Sequence, residues 1–351
     1  MHETPLLLTS HIPSAAAIKD IAVVETGTGP QVVCADSGGT VWTWDPSRDV
    51  WHERQLTYAF TGDPLAAQYP DAENEIDKVA AAVCDGRVVL AAGGDEQAPA
   101  LWDLETGELL RGATYDEPYL GAIATVRGDG PPRFVTGSQY VGRLLLWEPS
   151  GRTPPAEVPN DLYDITSLAT AWVDGRSLVA SGGDQVDVWD LARGEQVASF
   201  DSCDGDVRDV SFSRLDDRPV VVAATDSGEV YVWDLAGDGD DEPVHDPISG
   251  HEGAVLTLDT AAVGDRPLAV TGSEDGTVRL WDLAEGTAIG APLTGHQAAV
   301  EAVLTTTLRG RDVALSADRD GAVRVWDLAA AVSAAGGAAG PVRGETRAPR
   351  S

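Results

Sequence analysis

The chain has 351 residues, 43% of them apolar, so it is long enough and apolar enough to build a packed core. Lys and Arg number 24 against 57 Asp and Glu, which gives a net charge of -33. Such a charge repels phosphate backbones and anionic lipids, and the sequence shows no basic patch. Direct binding of nucleic acid or of a membrane is therefore not expected.

The beginning of the chain predicts neither a signal peptide nor a membrane anchor. Its apolar run at residues 6–8 is only three leucines long, and no basic region precedes it. Three widely spaced cysteines, Cys34, Cys84 and Cys203, fit neither a disulfide framework nor a metal site. We therefore expect a cytoplasmic protein that holds no metal and no cofactor.

A pattern of short strands and turns recurs seven times along the chain. In its most regular copy, residues 250–283, two alternating apolar runs precede an Asp275-Gly276 turn, and a third run ends at Trp281-Asp282. A Trp followed by an acid closes every copy: Trp44-Asp45, Trp102-Asp103, Trp147-Glu148, Trp189-Asp190, Trp233-Asp234, Trp281-Asp282 and Trp326-Asp327. Subtracting the Trp numbers gives spacings of 58, 45, 42, 44, 48 and 45 residues, close to the ~40–45 expected for a four-stranded blade.

These seven copies resemble the WD40-repeat family, and the resemblance covers residues 6–328. It implies an all-β fold: a seven-bladed β-propeller of four-stranded antiparallel blades, in one domain over residues 1–328. Each sequence repeat begins with the outer strand of the preceding blade. The N-terminal strand, at residues 6–9, should therefore complete the last blade, close the ring and remove its exposed edges.

The resemblance also implies a hydrogen-bonded set of four side chains in two repeats. The corresponding residues are His251, Thr271, Asp275 and Trp281 in one repeat, and His296, Ser316, Asp320 and Trp326 in the next. An imidazole can bridge a carboxylate and a hydroxyl, and the hydroxyl can accept the indole N–H, so every buried polar group has a partner. Because the set occurs twice and no G-x-S-x-G motif accompanies it, we interpret it as structural rather than as a catalytic triad.

Repeats two to four depart most from this pattern and hold the aromatic residues of the loops. The spacing of 58 marks an insertion at residues 58–77, and Asp161 stands where repeat four would have its turn His. The predicted partner-binding residues are Tyr58, Phe60, Tyr69, Tyr115, Tyr119, Tyr140, Tyr163 and Asp161. Interleaved acids would suit a basic segment of a partner. In the alternative interpretation, the rings only pin their own loops onto the propeller.

Two polar or small-residue segments complete the chain. The acidic segment at residues 238–246 lacks the spacing of a calcium loop and is interpreted as a solvated connection. Residues 329–351 are rich in Ala, Gly and Pro and predict a flexible tail. A short helix over residues 329–335, packed on the propeller rim, is the alternative.

These features favour a non-catalytic interaction scaffold that binds proteins or peptides on the loop face of the propeller. The first alternative is a propeller enzyme, a hydrolase or lyase with its site in the central channel, which carboxylates of raised pKa in the channel would favour. The second is a sensor subunit that works with a separate kinase or NTPase. A propeller fold by itself is compatible with all three roles.

Overall fold

The computed structural model describes residues 4–57, 75–94, 98–112, 120–237 and 241–338. Within these ranges the chain forms 28 strands and one helix. The strands are organised in seven four-stranded antiparallel sheets, which are the blades of a propeller. This confirms the fold class predicted from the seven Trp–acid repeats.

Blades 1 to 4 follow one another in chain order, and each is numbered from its inner to its outer strand. Blade 1 consists of β2 (Ile18–Thr26), β3 (Gly29–Asp36), β4 (Val41–Asp45) and β5 (Val50–Arg54). Blade 2 consists of β6 (Lys78–Cys84), β7 (Arg87–Gly93), β8 (Ala100–Asp103) and β9 (Leu109–Arg111). Blade 3 consists of β10 (Leu120–Val126), β11 (Arg133–Ser138), β12 (Leu144–Trp147) and β13 (Ala156–Val158). Blade 4 consists of β14 (Ser167–Val173), β15 (Arg176–Gly182), β16 (Val186–Asp190) and β17 (Glu195–Phe200).

Blades 5 to 7 complete the ring, and the last of them takes its outer strand from the beginning of the chain. Blade 5 consists of β18 (Val207–Leu215), β19 (Arg218–Thr225), β20 (Glu229–Asp234) and β21 (Ile248–Ser249). Blade 6 consists of β22 (Val255–Val263), β23 (Arg266–Ser273), β24 (Val278–Asp282) and β25 (Thr287–Ala288). Blade 7 consists of β26 (Val300–Leu308), β27 (Arg311–Asp318), β28 (Ala322–Asp327) and β1 (Leu6–His11).

The core lies between the blades, because each sheet packs against a neighbour on both of its faces. The second strands are therefore almost continuously buried and are rich in Val and Ala, as in β19, where residues 220–225 are all inaccessible to solvent. The Trp residues that end the third strands fill the space between adjacent sheets.

Tight turns join the first and second strands of six blades. Only two residues separate these strands, for instance Asp85 and Gly86 in blade 2, both of which have positive φ (51° and 77°). This conformation matches the twist of a hairpin and is favourable for an Asp-Gly pair. Blade 3 differs, because β10 ends at Val126 and β11 begins at Arg133, which leaves a six-residue turn at 127–132.

The N-terminal strand closes the ring, as the repeat offset predicts. β1 pairs antiparallel with β28, with Leu6 opposite Trp326 and His11 opposite Ala322. The inner strand β26 of blade 7 also contacts β2 of blade 1. The outer edge of blade 7 is therefore covered by a strand more than 300 residues away in sequence, and the two ends of the propeller domain are held together by main-chain hydrogen bonds.

A helix, α1 (Leu328–Ala338), follows the last blade. Leu328 and Ala331 are buried in the core cluster of blades 6 and 7, and Val332 and Ala335 pack against that cluster. The prediction of a flexible tail from residue 329 is therefore wrong for residues 329–338, where the alternative of a rim-packed helix is confirmed. Alanine-rich sequence favours a helix, and burial of one side stabilises it. Among the described residues no helix has the length and apolarity needed to cross a membrane.

Candidate functional site

The antiparallel order of the strands gives the propeller two different faces. The loop face carries the connections between blades and the turns between second and third strands. The hairpin face carries the turns between first and second strands and those between third and fourth strands. Residues far apart in sequence meet on the loop face, such as His251 before β22 and Asp275 between β23 and β24.

In blade 6, the four predicted side chains form a continuous hydrogen-bonded chain. His251 Nδ1 lies 2.9 Å from Asp275 Oδ2, and His251 Nε2 lies 2.7 Å from Thr271 Oγ1. The indole Nε1–H of Trp281 donates to Thr271 Oγ1 at 2.8 Å. A neutral imidazole protonated on Nδ1 satisfies every atom: it donates to Asp275 and accepts from the threonine hydroxyl, which in turn accepts from the indole.

The electrostatics of blade 6 agree with this proton arrangement. Burial lowers the pKa of His251, although its bond to Asp275 acts in the opposite direction. Burial alone would raise the pKa of Asp275, but hydrogen bonds from Thr277, the Glu252 amide and His251 outweigh it and bring the pKa to about 2. The pair is thus a carboxylate beside a neutral imidazole. The structural rather than catalytic role of this set stays a prediction.

Blade 7 contains a similar set, but its carboxylate is not the predicted one. His296 Nε2 lies 2.6 Å from Ser316 Oγ, which accepts the Trp326 indole N–H at 2.8 Å. His296 Nδ1 contacts Asp318 Oδ2 at 2.6 Å. The assignment of Asp320 to this set is therefore wrong, since Asp320 is exposed and only its amide N–H binds Asp318.

The physical reason for this exchange lies in the residue that ends the second strand. Asp318 occupies the position of Ser273 in blade 6, and its longer side chain with two acceptor oxygens reaches both the imidazole and the turn. One oxygen receives the histidine N–H, and the other receives the amides of Asp320 and Ala322 at 3.0 and 2.9 Å. Asp36 stands at the same position in blade 1 and accepts the Trp42 indole N–H at 2.9 Å. An Asp at the end of the second strand can thus take the role that the Asp of the following turn has in blade 6.

The other blades satisfy the indole N–H of the repeated Trp in different ways. The acceptors are Asp49 for Trp44, the Thr57 carbonyl for Trp102, Thr136 for Trp147 and Ser202 for Trp233. In blade 4, Asp161 is exposed and does not take the place of the histidine, and Trp189 Nε1 has no partner in the described parts of the chain. Sequence register alone could not identify these acceptors, because most of them lie in irregular loops.

Of the predicted partner-binding residues, three fall within the described part of the chain. Tyr140 lies in the turn between β11 and β12, and Asp161 and Tyr163 lie in the connection between β13 and β14. The side chains of Tyr140 and Tyr163 are 62% and 76% exposed. The residues that lie outside the described residues are Tyr58, Phe60, Tyr69, Tyr115 and Tyr119.

The two loops that carry these tyrosines are in direct contact and are held by other residues. Gly142 has φ 64°, and a Cβ there would lie 1.8 Å from the Leu162 carbonyl oxygen, so only glycine allows this approach. Asn160 accepts the Leu162 amide at 3.0 Å, and Asp164 accepts the Tyr140 amide at 3.3 Å. Backbone contacts and short polar side chains therefore fix the loops, while both rings extend into solvent.

Comparison with known families agrees with this architecture. A family model described as WD domain, G-beta repeat, matches residues 242–282, which end at the Trp–Asp pair of blade 6. The seven blades share the strand order and the Trp–acid ending of that matched unit. The chain is a WD40-repeat β-propeller. A search of curated protein sequences found no significant match.

The central channel of the WD40 propeller is lined by three carboxylates, Asp20, Asp209 and Asp259. Burial raises the pKa of all three, and that of Asp209 reaches about 7 even though the Leu258 amide and Lys78 act against the shift. This is a feature that would favour the enzyme alternative.

The hydrogen bonds of these carboxylates nevertheless point to another role. Each receives the amide of the residue that follows it, and each also receives an amide from the inner strand of the next blade. These second donors are Val79 for Asp20, Leu258 for Asp209 and Thr305 for Asp259, at 2.9, 2.8 and 2.7 Å. Thr257 accepts the Val303 amide in the same way at 3.0 Å. The acids thus join neighbouring blades, and their oxygens are already occupied by main-chain donors.

No cluster of three or more His, Cys, Asp or Glu side chains in the described ranges could hold a metal ion. All three cysteines are free, and burial raises the pKa of each thiol, to about 11 for Cys84. Protonated thiols are poor nucleophiles and poor metal ligands. Part of the acidic segment at 238–246, residues 238–240, lies outside the described residues.

Proposed function

We propose that this WD40 propeller is a non-catalytic scaffold that binds a partner protein or peptide on its loop face, at blades 3 and 4. The observation that supports the proposal most is the exposure of Tyr140, Val141 and Tyr163 on two loops that are rigidly held together. Tyrosine offers a large amphipathic surface whose immobilisation costs little entropy, which is why it is common at interface centres. The rigid backbone lowers the ordering cost further.

The charge around these rings favours a partner with a basic segment. Asp161 is exposed beside Tyr163, Asp164 is half-buried in the same loop, and the chain as a whole carries a charge of -33. Long-range attraction of this kind accelerates encounter with a cation-rich surface, while the aromatic contacts determine how long the complex lasts. We therefore expect the association rate to fall as ionic strength rises.

The alternative that the rings only pin their loops receives little support at these two positions. A ring that pins a loop is buried against it, whereas these are mostly exposed and the loops are fixed by Gly142, Asn160 and Asp164. Loss of either ring should therefore affect binding more than stability. For the five aromatic residues outside the described ranges, both interpretations stay predictions.

We also propose that the chain is not an enzyme and that it works in a reducing compartment such as the cytoplasm. The first proposal rests on the main-chain hydrogen bonds that occupy the channel carboxylates, and on the membership of a family that is typically non-catalytic. The second rests on three free cysteines.

Site-specific photo-cross-linking tests the proposed interface. A photoreactive residue is placed at position 163 and, in a matched control, at position 83, where Val83 is 39% exposed near the hairpin face. Cross-linking in host extract should give a discrete product from position 163 and none from position 83. The captured protein is then purified, and its affinity is measured for wild type, Tyr140→Ser, Tyr163→Ser and Asp161→Asn.

We expect each tyrosine variant to weaken binding by about 1–3 kcal/mol, with a melting temperature close to that of wild type. Asp161→Asn should mainly slow association at low salt. Unchanged affinity together with lowered stability of the tyrosine variants would mean that the rings pin their loops, and the proposed interface would be wrong. Equal cross-linking from positions 163 and 83 would also contradict it.

A further inference from the structure

An arginine occupies the first position of the second strand in six of the seven blades. These residues are Arg87, Arg133, Arg176, Arg218, Arg266 and Arg311, and each is the last paired residue of its inner hairpin. Four of them form ion pairs with the Asp of the Trp–Asp pair in their own blade, at distances from 2.5 to 3.9 Å. The repeated arginine thus normally neutralises the repeated aspartate on the hairpin face.

Blades 3 and 4 break this rule. In blade 3 the acid is Glu148, which is exposed, and in blade 4 Asp190 is bound by Arg193 at 2.6 Å. As a result, within the described parts of the chain neither Arg133 nor Arg176 takes part in an ion pair or a side-chain hydrogen bond. In these two adjacent blades, the acid that follows the repeated Trp therefore does not pair with the arginine at the start of the second strand.

The same two arginines line one cleft between blades 3 and 4. The cleft measures about 540 Å³ and is also lined by Arg127, Arg193 and Trp172. It exists because the turn at 127–132 is six residues long where the other blades have two, so it forms a wall beside the hairpin of blade 4. Trp172 is 40% exposed and packs on Gly128, where a Cβ would lie 2.9 Å from the ring.

Another cleft on the same face shows a group of arginines that all have partners. The groove between blades 1 and 2 is lined by Arg48, Arg54, Arg87 and Arg309. Arg48, Arg54 and Arg87 pair with Asp45, Glu105 and Asp103, and Arg309 donates to the Ser47 carbonyl. Clustering of arginines is therefore not by itself unusual in this chain. Within the residues that the structure describes, Arg127, Arg133 and Arg176 take part in no ion pair or side-chain hydrogen bond, and this distinguishes the cleft between blades 3 and 4.

We propose that the cleft between blades 3 and 4 binds a phosphate monoester dianion. Arg133 and Arg176 supply two planar guanidinium forks, and Arg127 supplies a third cation from the long turn. A phosphate monoester carries a charge of about -1.5 to -2 and three acceptor oxygens, so it can engage two arginines at once. A single carboxylate would leave one guanidinium unpaired.

The remaining lining selects among phosphate-containing ligands. Asp129 and Glu148 are exposed acids at the cleft and Asp190 is already paired, so the net positive charge is small and confined to the arginines. A polyanion such as nucleic acid would meet the acidic body of the protein around this small patch. The ring of Trp172 offers an apolar wall for the carbon atoms of an ester. We therefore expect an ester to bind more tightly than inorganic phosphate.

Isothermal titration of the full-length protein tests the proposal. The ligands are a short neutral peptide with one phosphoserine, the same peptide with serine, glycerol phosphate and inorganic phosphate. Wild type should bind both esters saturably, bind inorganic phosphate more weakly, and not bind the unphosphorylated peptide. Tighter binding of the phosphopeptide would identify a modified protein as the source of the group, and equal binding of the two esters would indicate a small phosphorylated molecule.

Matched variants make the result specific to the unpaired arginines. Arg133→Ala and Arg176→Ala should each lower ester affinity by about tenfold or more, because each removes a charge-assisted contact. Arg218→Ala and Arg266→Ala, at the equivalent positions in blades 5 and 6, should leave it unchanged. If the alanine variants fail to fold, Arg133→Lys and Arg176→Lys retain the charge, lose the fork and should still weaken binding.

The proposal is overturned if wild type binds neither ester at millimolar concentration. It is also overturned if the variants in blades 3 and 4 bind as well as wild type, or if those in blades 5 and 6 weaken binding equally. Because the cleft lies on the hairpin face, these results are independent of whether a partner binds the tyrosines of the loop face.

Discussion

The carboxylate of the blade 7 hydrogen-bonded set provides the sharpest stability test. Of two aspartates that lie two residues apart, replacement of one should destabilise the fold strongly and replacement of the other should have little effect. Asp318 is fully buried and accepts from His296 Nδ1 and from two turn amides. Asp320 is exposed, and in the described structure its side chain makes no hydrogen bond or ion pair. Asp318→Ala therefore strands three donors, one of them a buried imidazole N–H, whereas Asp320→Ala strands none.

We expect Asp318→Ala to lower the free energy of unfolding by about 4 kcal/mol, since each hydrogen bond to a charged group contributes roughly 1.5–3 kcal/mol and relaxation recovers part of the loss. Asp320→Ala should change it by less than about 0.5 kcal/mol. With a urea slope of about 3 kcal/mol per M, the midpoint of Asp318→Ala should fall by somewhat more than about 1 M. Urea unfolding followed by tryptophan fluorescence and circular dichroism measures both.

The difference in unfolding free energy between the two variants should also depend on pH, which provides an internal control. Burial alone would raise the pKa of Asp318, but the His296 bond and the turn amides outweigh it and lower the pKa below its ordinary value of 3.8. The contribution of the carboxylate is therefore complete above that value and declines as pH falls through the folded-state pKa. Equal midpoints for the two variants at neutral pH, or a larger loss for Asp320→Ala, would refute the reasoning.

Three further predictions concern the ring, the loop face and the channel. Deleting residues 1–10 removes most of β1 from blade 7 and should lower the melting temperature of the whole domain, so an unchanged thermal transition would contradict the closure scheme. Gly142→Ala places a methyl group on the Leu162 carbonyl and should cost about 2 kcal/mol or more in chemical unfolding. Gly130→Ala, where an added Cβ has no atom within 4 Å, should cost little. Burial raises the folded-state pKa of Asp209 to about 7, so its protonated form stabilises the fold and this contribution is lost as pH rises from about 4 to above 7. The stability of wild type should accordingly fall relative to Asp209→Asn over that range, and a difference that is independent of pH would argue against the shift.

The repeats of the sequence, through their resemblance to the WD40-repeat family, were sufficient to predict the architecture. Seven Trp–acid pairs, 42 to 58 residues apart and usually preceded by alternating residues, predicted seven equivalent sheets. The offset between repeat and blade predicted that the N-terminal strand would join the last blade, and β1 does so. Such inferences succeed because one local pattern, repeated many times, must bury the same face each time.

The hydrogen-bonded sets show where sequence register stops being informative. His251, Thr271, Asp275 and Trp281 come together as their positions predict. In blade 7 the equivalent turn acid, Asp320, is exposed, and Asp318 accepts the hydrogen bond of the imidazole in its place. A carboxylate at the strand end and one in the turn are equally plausible in sequence, and only the distance to the histidine decides between them.

The sequence by itself determined the fold class, the number of blades, the closure of the ring and the loop face on which Tyr140 and Tyr163 lie. Only the tertiary structure decided which charges are neutralised. Arg127, Arg133, Arg176 and Arg193 are scattered over 67 positions of the sequence and formed no recognisable patch there, yet two neighbouring hairpins bring them into one cleft. Pairing depends on which acid each guanidinium can reach in space. Among the described residues, four of the six equivalent arginines form an ion pair and two do not.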